Sequence, residues 1–240
     1  MKSKRNKETV CAVVVTYNRK ILLLECLESL MKQTRPIDSI CIIDNASTDE
    51  TPEILLKNKF IKELPPEDLS EPWEKEYKIK NLFNVNNAIT IHYIRMHENT
   101  GGAGGFHEGV KRGYEKGYDW LWLMDDDAEP KYDALEKAIK YTKIKEVAVI
   151  ANLKVGIDGI PQYNHRGWIK IKGINRKIIQ IISEKDLKNK FFEIDHCSFV
   201  GFLLKSKYVP LVGLPKKEMF LHFDDVEYSF RIRQYGKILL

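Results

Sequence analysis

The run from Val10 to Thr16 is nearly all β-branched or apolar, with no alternation that would leave one face wet. A strand of this kind is buried on both faces, as in a parallel sheet covered by helices. Leu22, Leu23, Cys26, Leu27 and Leu30 then recur at helical spacing and stop before Pro36. Ser39 to Ile43 repeats the buried strand. It ends in the polar turn Asp44-Asn45-Ala46-Ser47-Thr48-Asp49, whose side chains can cap a helix starting near Pro52. Ile89 to Arg95 alternates as a strand, and Trp120 to Met124 forms another with three aspartates at its carboxyl end. Helices alternating with such strands predict an α/β fold with a mostly parallel central sheet, its ligands held in the crevice at the strands' carboxyl edge.

The 240 residues suffice for one domain spanning 1–240. Residues 61–87, with Pro65, Pro66, Pro72 and an Asn-rich stretch, lack periodicity and read as a surface insertion that leaves the sheet. Helix is expected over Tyr132 to Lys143, and strand over Val147 to Ala151, Phe192 to Leu204 and Lys237 to Leu240. The chain stops in the apolar run YGKILL, which reads as a boundary within a longer protein.

The 39 basic and 34 acidic residues give a net charge of +5, with lysines scattered rather than massed, so no nucleic-acid partner is expected. Cys11, Cys26, Cys41 and Cys197 form no CxxC pair, and the short CAVVV run is neither leader nor membrane span. The expected setting is cytoplasmic, with peripheral contact at the inner membrane face.

Asp125, Asp126 and Asp127 crowd three carboxylates at one strand end, where a divalent cation is the natural partner. Carboxylates at the first and third positions can hold Mg²⁺ or Mn²⁺ against a diphosphate. The plain alternative is a solvated acidic turn leading into the next helix. In NTGGAGGFHEG the glycines can bring backbone N–H groups to an anion, although the segment matches neither GxGxxG nor a Walker loop. Its alternative is a flexible turn, with Glu108 in an exposed first helical turn. Asp44 can accept hydrogen bonds from a base, and Thr16, Tyr17, Asn18 and Arg19 follow the first strand at the same edge; helix capping is their bland reading. Asp224, Asp225 and Glu227 form a second acidic cluster about a hundred residues after the first. One cluster would neutralise a leaving diphosphate while the other deprotonates an attacking hydroxyl. Otherwise Asp224 caps a helix and Glu227 pairs with Arg231.

Taken in order, VVVTYNR, CIIDNASTDET, WLWLMDDDAEP and LHFDDVEYSFR resemble glycosyltransferase family 2, the inverting enzymes with the GT-A fold. NTGGAGGFHEG and MDDDAEP look most like its galactofuranosyltransferase and rhamnosyltransferase branch. The resemblance implies a UDP-galactofuranose or dTDP-rhamnose donor and a glycan or lipid-linked acceptor. It also implies Asp225 as general base with Asp224 as second choice, Asp125 and Asp127 as ligands of Mg²⁺ or Mn²⁺, and Asp126 at the ribose or the metal. Asp44 and Thr16 would hold the base with Tyr17, Asn18 and Arg19 beside them, and Asn99, Gly101, Gly104 and Gly105 would approach the sugar or phosphates. Relatives often carry a tryptophan pair where this chain has Phe199-Val200, and usually a metal-binding histidine some twenty residues beyond the base, past Leu240. A sugar-1-phosphate nucleotidyltransferase would need a glycine- and lysine-rich loop after the first strand, where this chain has TYNRK. A nucleotide-sugar or carbohydrate-binding module without turnover is the non-enzymatic alternative.

Overall fold

The computed structural model describes residues 7–81, 83, 88–172, 176–188 and 190–240. Strand β1 (Val10–Thr16) leads into α1 (Lys20–Met31), and β2 (Ser39–Asp44) into α2 (Thr51–Lys57). Strands β3 (Trp73–Lys80) and β4 (Ala88–Arg95) precede α3 (Gly101–Glu115), β5 (Trp120–Asp125), α4 (Ala134–Ile139) and β6 (Val147–Ala151). The last third holds β7 (Arg166–Lys172), β8 (Arg176–Ile181), β9 (Glu193–Ile194), β10 (His196–Cys197), β11 (Phe202–Lys205), α5 (Val209–Val212), α6 (Asp224–Ile232) and β12 (Lys237–Leu239).

Nine strands form one sheet in the order β3-β4-β2-β1-β5-β11-β6-β12-β9, and β10-β7-β8 form a smaller one. Strands β4, β2, β1, β5, β6 and β12 share one direction, while β3, β11 and β9 oppose it. The buried run at β1 divides its residues by pleat. Val10, Ala12 and Val14 join α1 residues Leu23, Leu27 and Leu30 on one face, and Cys11, Val13 and Val15 join α3 residues Phe106 and Val110 on the other. Each fully buried Leu or Val in these layers stabilises the fold by about 1.5–3 kcal/mol. All four cysteines are buried and free, as their place in apolar runs suggests.

The structure departs from the sequence-based expectations at four places. Residues 73–80 do not leave the sheet but form its edge strand, antiparallel to β4, with Tyr77 packed into the core. Its alternating charges are what an exposed edge carries to resist pairing with another chain. Leu82 and residues 84–87 of the same stretch lie outside the described residues. The strand expected over 192–204 is three short pieces, because β9 pairs with β12, β10 with β7, and β11 with β5 and β6. The helix expected over 132–143 narrows to α4.

The glycine cluster is not a loop ahead of a helix; it is the first turn of α3. A Cβ on Gly109 would sit 2.3 Å from Val13 Cγ1, so this helix lies on the sheet at a distance only glycine permits. Gly105 faces Val15 in the same way, and Gly104 faces the Thr100 side chain.

Candidate active site

Four parallel strands end side by side. The register sets Arg95 beside Asp44, Asp44 beside Thr16, and Asp125 beside Val15. Asp44 is fully buried, and both its oxygens are engaged. Oδ1 accepts from the Ser47 backbone N–H at 2.9 Å, and Oδ2 accepts from Tyr93 Oη and Arg95 Nη1, each at 2.7 Å. Asp44 therefore presents no open oxygen at the edge; it organises the 45–48 turn, whose Ser47 carbonyl also accepts from Arg95 Nη2. Removing one partner of a buried ion pair costs about 3–5 kcal/mol. Asp44→Ala is expected to lower the melting temperature on the order of 10 °C for a domain of this size, and an unchanged melting curve would show that Asp44 is not this anchor.

The loops after β1 and β2 are stitched together. Asn18, at a left-handed φ of 55°, accepts from the Thr48 N–H at 2.6 Å, and its own N–H donates to Ser47 Oγ at 3.0 Å. Asp49 caps across the gap, its Oδ2 accepting from the Lys20 N–H of α1 at 3.0 Å, while α2 has no side-chain cap. Tyr17 stands exposed beside this junction.

Asn45 was not among the sequence-derived site residues, yet it fastens β2 to the start of α3. Its Oδ1 accepts from the Thr100 N–H and Oγ1, and its Nδ2 donates to Asn99 Oδ1 at 2.9 Å and to the Gly101 carbonyl at 3.0 Å. Asn99 Oδ1 also accepts from the Gly101 N–H. Gly101 has φ +71°, and a Cβ there would lie 2.1 Å from the Phe220 carbonyl oxygen. That oxygen accepts from the Ala103 N–H at 3.0 Å, so the glycine segment meets the turn leading into the second acidic cluster. Phe220 and Phe223 in that turn both hold left-handed backbone, φ 58° and 63°. Such conformations are unfavourable for aromatic residues, persist only where the surroundings enforce them, and concentrate at functional sites.

The three aspartates divide into separate roles. Asp126 is buried, its Oδ2 accepting from Thr16 Oγ1 at 2.7 Å, and it fixes the β1 loop. Arg19, half exposed, reaches Asp126 Oδ1 at 3.4 Å and Asp127 Oδ2 at 3.2 Å. Asp125 has no ion-pair partner among the described residues. Its carboxyl is pushed up to about 7, first by burial and then by the charges of Asp127 and Asp126, with Asp224 adding to them and Arg19 opposing. Burial also raises Asp126 and Asp224.

The second cluster opens α6. Asp225 is pushed up to about 6, mainly by burial, with the Asp224 charge adding and the Val226 N–H and Arg166 opposing. Asp224 does not cap the helix, whose N-cap is Phe223, whereas Glu227 pairs with Arg231 at 2.8 Å as the plain reading held. Glu108 is buried rather than exposed and pairs with Arg112 at 2.6 Å. Phe199 packs in the core at 3 % exposure, leaving no aromatic face open at the position of the relatives' tryptophan pair.

The sheet thus gathers the first acidic cluster at its carboxyl edge, and the second opens α6. The sequence profile described as Glycosyl transferase family 2 matches residues 11–66 and 74–208, and the chain belongs to that family. It is 24% identical over 235 residues to the galactofuranosyltransferase GlfT1 of Mycolicibacterium smegmatis, covering 95% of this chain and 67% of that protein. It is 26% identical over 238 residues to GlfT1 of Mycobacterium tuberculosis, covering 95% and 66%. The chain thus spans about two thirds of the length of the curated relatives it matches. Among solved structures, it resembles mannosyltransferase PcManGT from Pyrobaculum calidifontis, in complex with GDP-Man and Mn²⁺, with TM-score 0.62 and 16% identity over 97% of this chain and 54% of that one. TarS 1-349 of S. aureus in complex with UDP follows with TM-score 0.61 and 14% identity, over 96% of this chain and 57% of that one. The fold is that of the GT-A glycosyltransferases.

Proposed function

We propose that this chain carries the donor and base sites of an inverting glycosyltransferase. It would move a sugar such as galactofuranose or rhamnose from a UDP or dTDP donor to a hydroxyl of a glycan or lipid-linked acceptor. The observation that carries this reading is the approach of the two acidic clusters, close enough for Asp224 to act on Asp125, at the carboxyl edge of a family 2 sheet. The acceptor oxygen attacks the anomeric carbon and its proton passes to Asp225. The bond from that carbon to the diphosphate breaks with its electron pair leaving on the diphosphate oxygen, and the centre inverts.

Among the described residues no three His, Cys, Asp or Glu side chains converge as a closed metal shell. Asp125 and Asp127 still fit a Mg²⁺ or Mn²⁺ ion, because such ions in phosphate sites take one or two carboxylates and complete their shell from substrate and water. The ion would neutralise charge developing on the departing diphosphate. Arg19 would release Asp127 toward it. Asp126 and Thr16 hold the β1 loop around the nucleotide, Tyr17 offers the base an exposed ring, and Asp44 shapes the 45–48 turn rather than touching the base itself. Asn99, Gly101, Gly104 and Gly105 act through helix placement, with Gly101 seating α3 against Phe220.

Exposed Phe220, Leu221 and Phe223 beside Asp224 suit a lipid-linked acceptor at a membrane surface; no helix among the described residues is long and apolar enough to cross a membrane. Thermal denaturation with UDP-, dTDP- and GDP-sugars, with and without Mn²⁺, tests the reading. At a hundredfold excess over Kd a true donor adds about 2.7 kcal/mol, raising the melting temperature by about 5–10 °C. A flat response to every nucleotide sugar, with and without the metal, would overturn it.

A further inference from the structure

Arg19 is the cation of the acidic edge. Its Nη1 meets Asp127 Oδ2 at 3.2 Å and Asp126 Oδ1 at 3.4 Å, so one nitrogen is shared between two of the three clustered carboxylates. Its Nε and Nη2 donate to no other group among the described residues, and the side chain is half exposed. A guanidinium held at one nitrogen and open along its other edge can take two oxygens of an anion at once.

The backbone around Arg19 is fixed, which leaves the side chain as the part that moves. Asn18 is bonded to Ser47 and Thr48, the Lys20 N–H donates to Asp49, and the Arg19 carbonyl accepts from the Leu23 N–H at 3.0 Å. Lys20, the neighbouring cation, is taken by Glu50 at 2.7 Å. The two carboxylates differ in freedom as well. Asp126 is buried and accepts from Thr16 Oγ1 at 2.7 Å, whereas Asp127 is half exposed and has no ion-pair partner but Arg19 among the described residues. An exposed pair of that kind is weak and exchanges readily.

We infer that Arg19 is an exchangeable counter-ion: it pairs with Asp127 until a divalent ion takes that carboxylate, and its guanidinium then binds the donor's diphosphate while Asp126 keeps it at the sheet edge. This rests on the reading of Asp125 and Asp127 as metal carboxylates and of a nucleoside diphosphate as the donor's leaving group. Two cations compete for one carboxylate, whereas a diphosphate lying between them is attracted by both. Arg19 therefore opposes the ion that arrives alone and supports the one that arrives with a diphosphate.

The test reads binding rather than turnover, with Arg19→Gln and Arg19→Lys in the full chain. Mn²⁺ alone is titrated by the paramagnetic resonance signal of the free ion, and UDP and dTDP are then titrated by calorimetry at saturating Mn²⁺. Arg19→Gln should bind Mn²⁺ alone about three- to tenfold more tightly than the parent, the scale of one partly screened charge. It should bind nucleotide about 10–100-fold more weakly, the loss of a hydrogen bond to a charged group. Arg19→Lys keeps the charge without the fork, so its Mn²⁺ affinity should match the parent's while nucleotide binding weakens. A glutamine variant whose Mn²⁺ affinity is equal to or below the parent's overturns the proposal, and so does nucleotide binding unchanged in both variants. An Arg19 that merely ties down the β1 loop would instead lower the melting temperature and weaken both ligands together. If the glutamine variant does not fold, the lysine variant decides by its nucleotide affinity. Mn²⁺ or nucleotide that binds none of the three proteins overturns the underlying reading of the site, and the inference falls with it.

Discussion

Asp225→Asn is expected to lower kcat for transfer by about 10²–10⁴-fold, the usual worth of a positioned proton acceptor, while donor affinity stays close to the parent's. The amide keeps the shape of the side chain and its contact with the Val226 N–H, so the loss reports chemistry rather than collapse. The pH dependence supplies a second reading. Asp225 accepts a proton only when ionised, and its carboxyl lies at about 6. Transfer by the unmodified protein should therefore rise with pH through about 6 and level off above it. The substitution should remove that limb together with the rate. Steady-state transfer assays from pH 5 to 8 would check both; a variant with full activity and an unchanged profile would place the base elsewhere.

Asp125→Asn should combine lost transfer with gained stability. The folded-state value of about 7, against 3.8 for an unperturbed group, means that the folded protein binds this proton more tightly than the unfolded chain. Ionising Asp125 therefore destabilises the fold, an effect absent below pH about 4 and complete above about 7. A shift of this size corresponds to something on the order of 4 kcal/mol. In the absence of divalent ions, the asparagine variant should melt several degrees higher at pH 8 and at the same temperature at pH 4. Added Mn²⁺ and donor should raise the melting temperature of the parent but not of the variant, since the carboxylate that would face the ion is gone. A variant that melts lower at pH 8, or turns over normally, would show that Asp125 is a structural carboxylate.

These readings depend on how much the sequence discloses. Strands β1, β2 and β5 were legible because burial on both faces leaves an uninterrupted apolar run, and the polar residues at their ends fall into line once the strands are parallel. Strand β3 was obscured by its edge position. Trp73, Tyr77 and Ile79 lie on alternate residues and pack toward the core, yet the charges between them and the prolines before them mask the period. The stretch after Phe192 was misread because its pairing is decided by strands far away in sequence, and the chain changes sheets around Asp195. At the site, carboxylates announced themselves by clustering. Arg95 had a signal, a cation ending a buried strand in register with Asp44. Arg166 had none, since nothing in RGWIKIK marks its first residue as interior while Lys170 is exposed.

The placement of β11 bears on how the chain comes off the ribosome. It is the strand that seals the open side of β5, and it pairs there over Phe202 to Lys205. About eighty residues separate the end of β5 from the start of β11. At synthesis rates of roughly 5–20 residues per second, the aspartate-bearing strand waits some 4–16 seconds with an unpaired hydrogen-bonding edge. Nascent chains halted between residues 130 and 195 should accordingly be the ones that aggregate or recruit chaperones, and release past Lys205 should end that vulnerability.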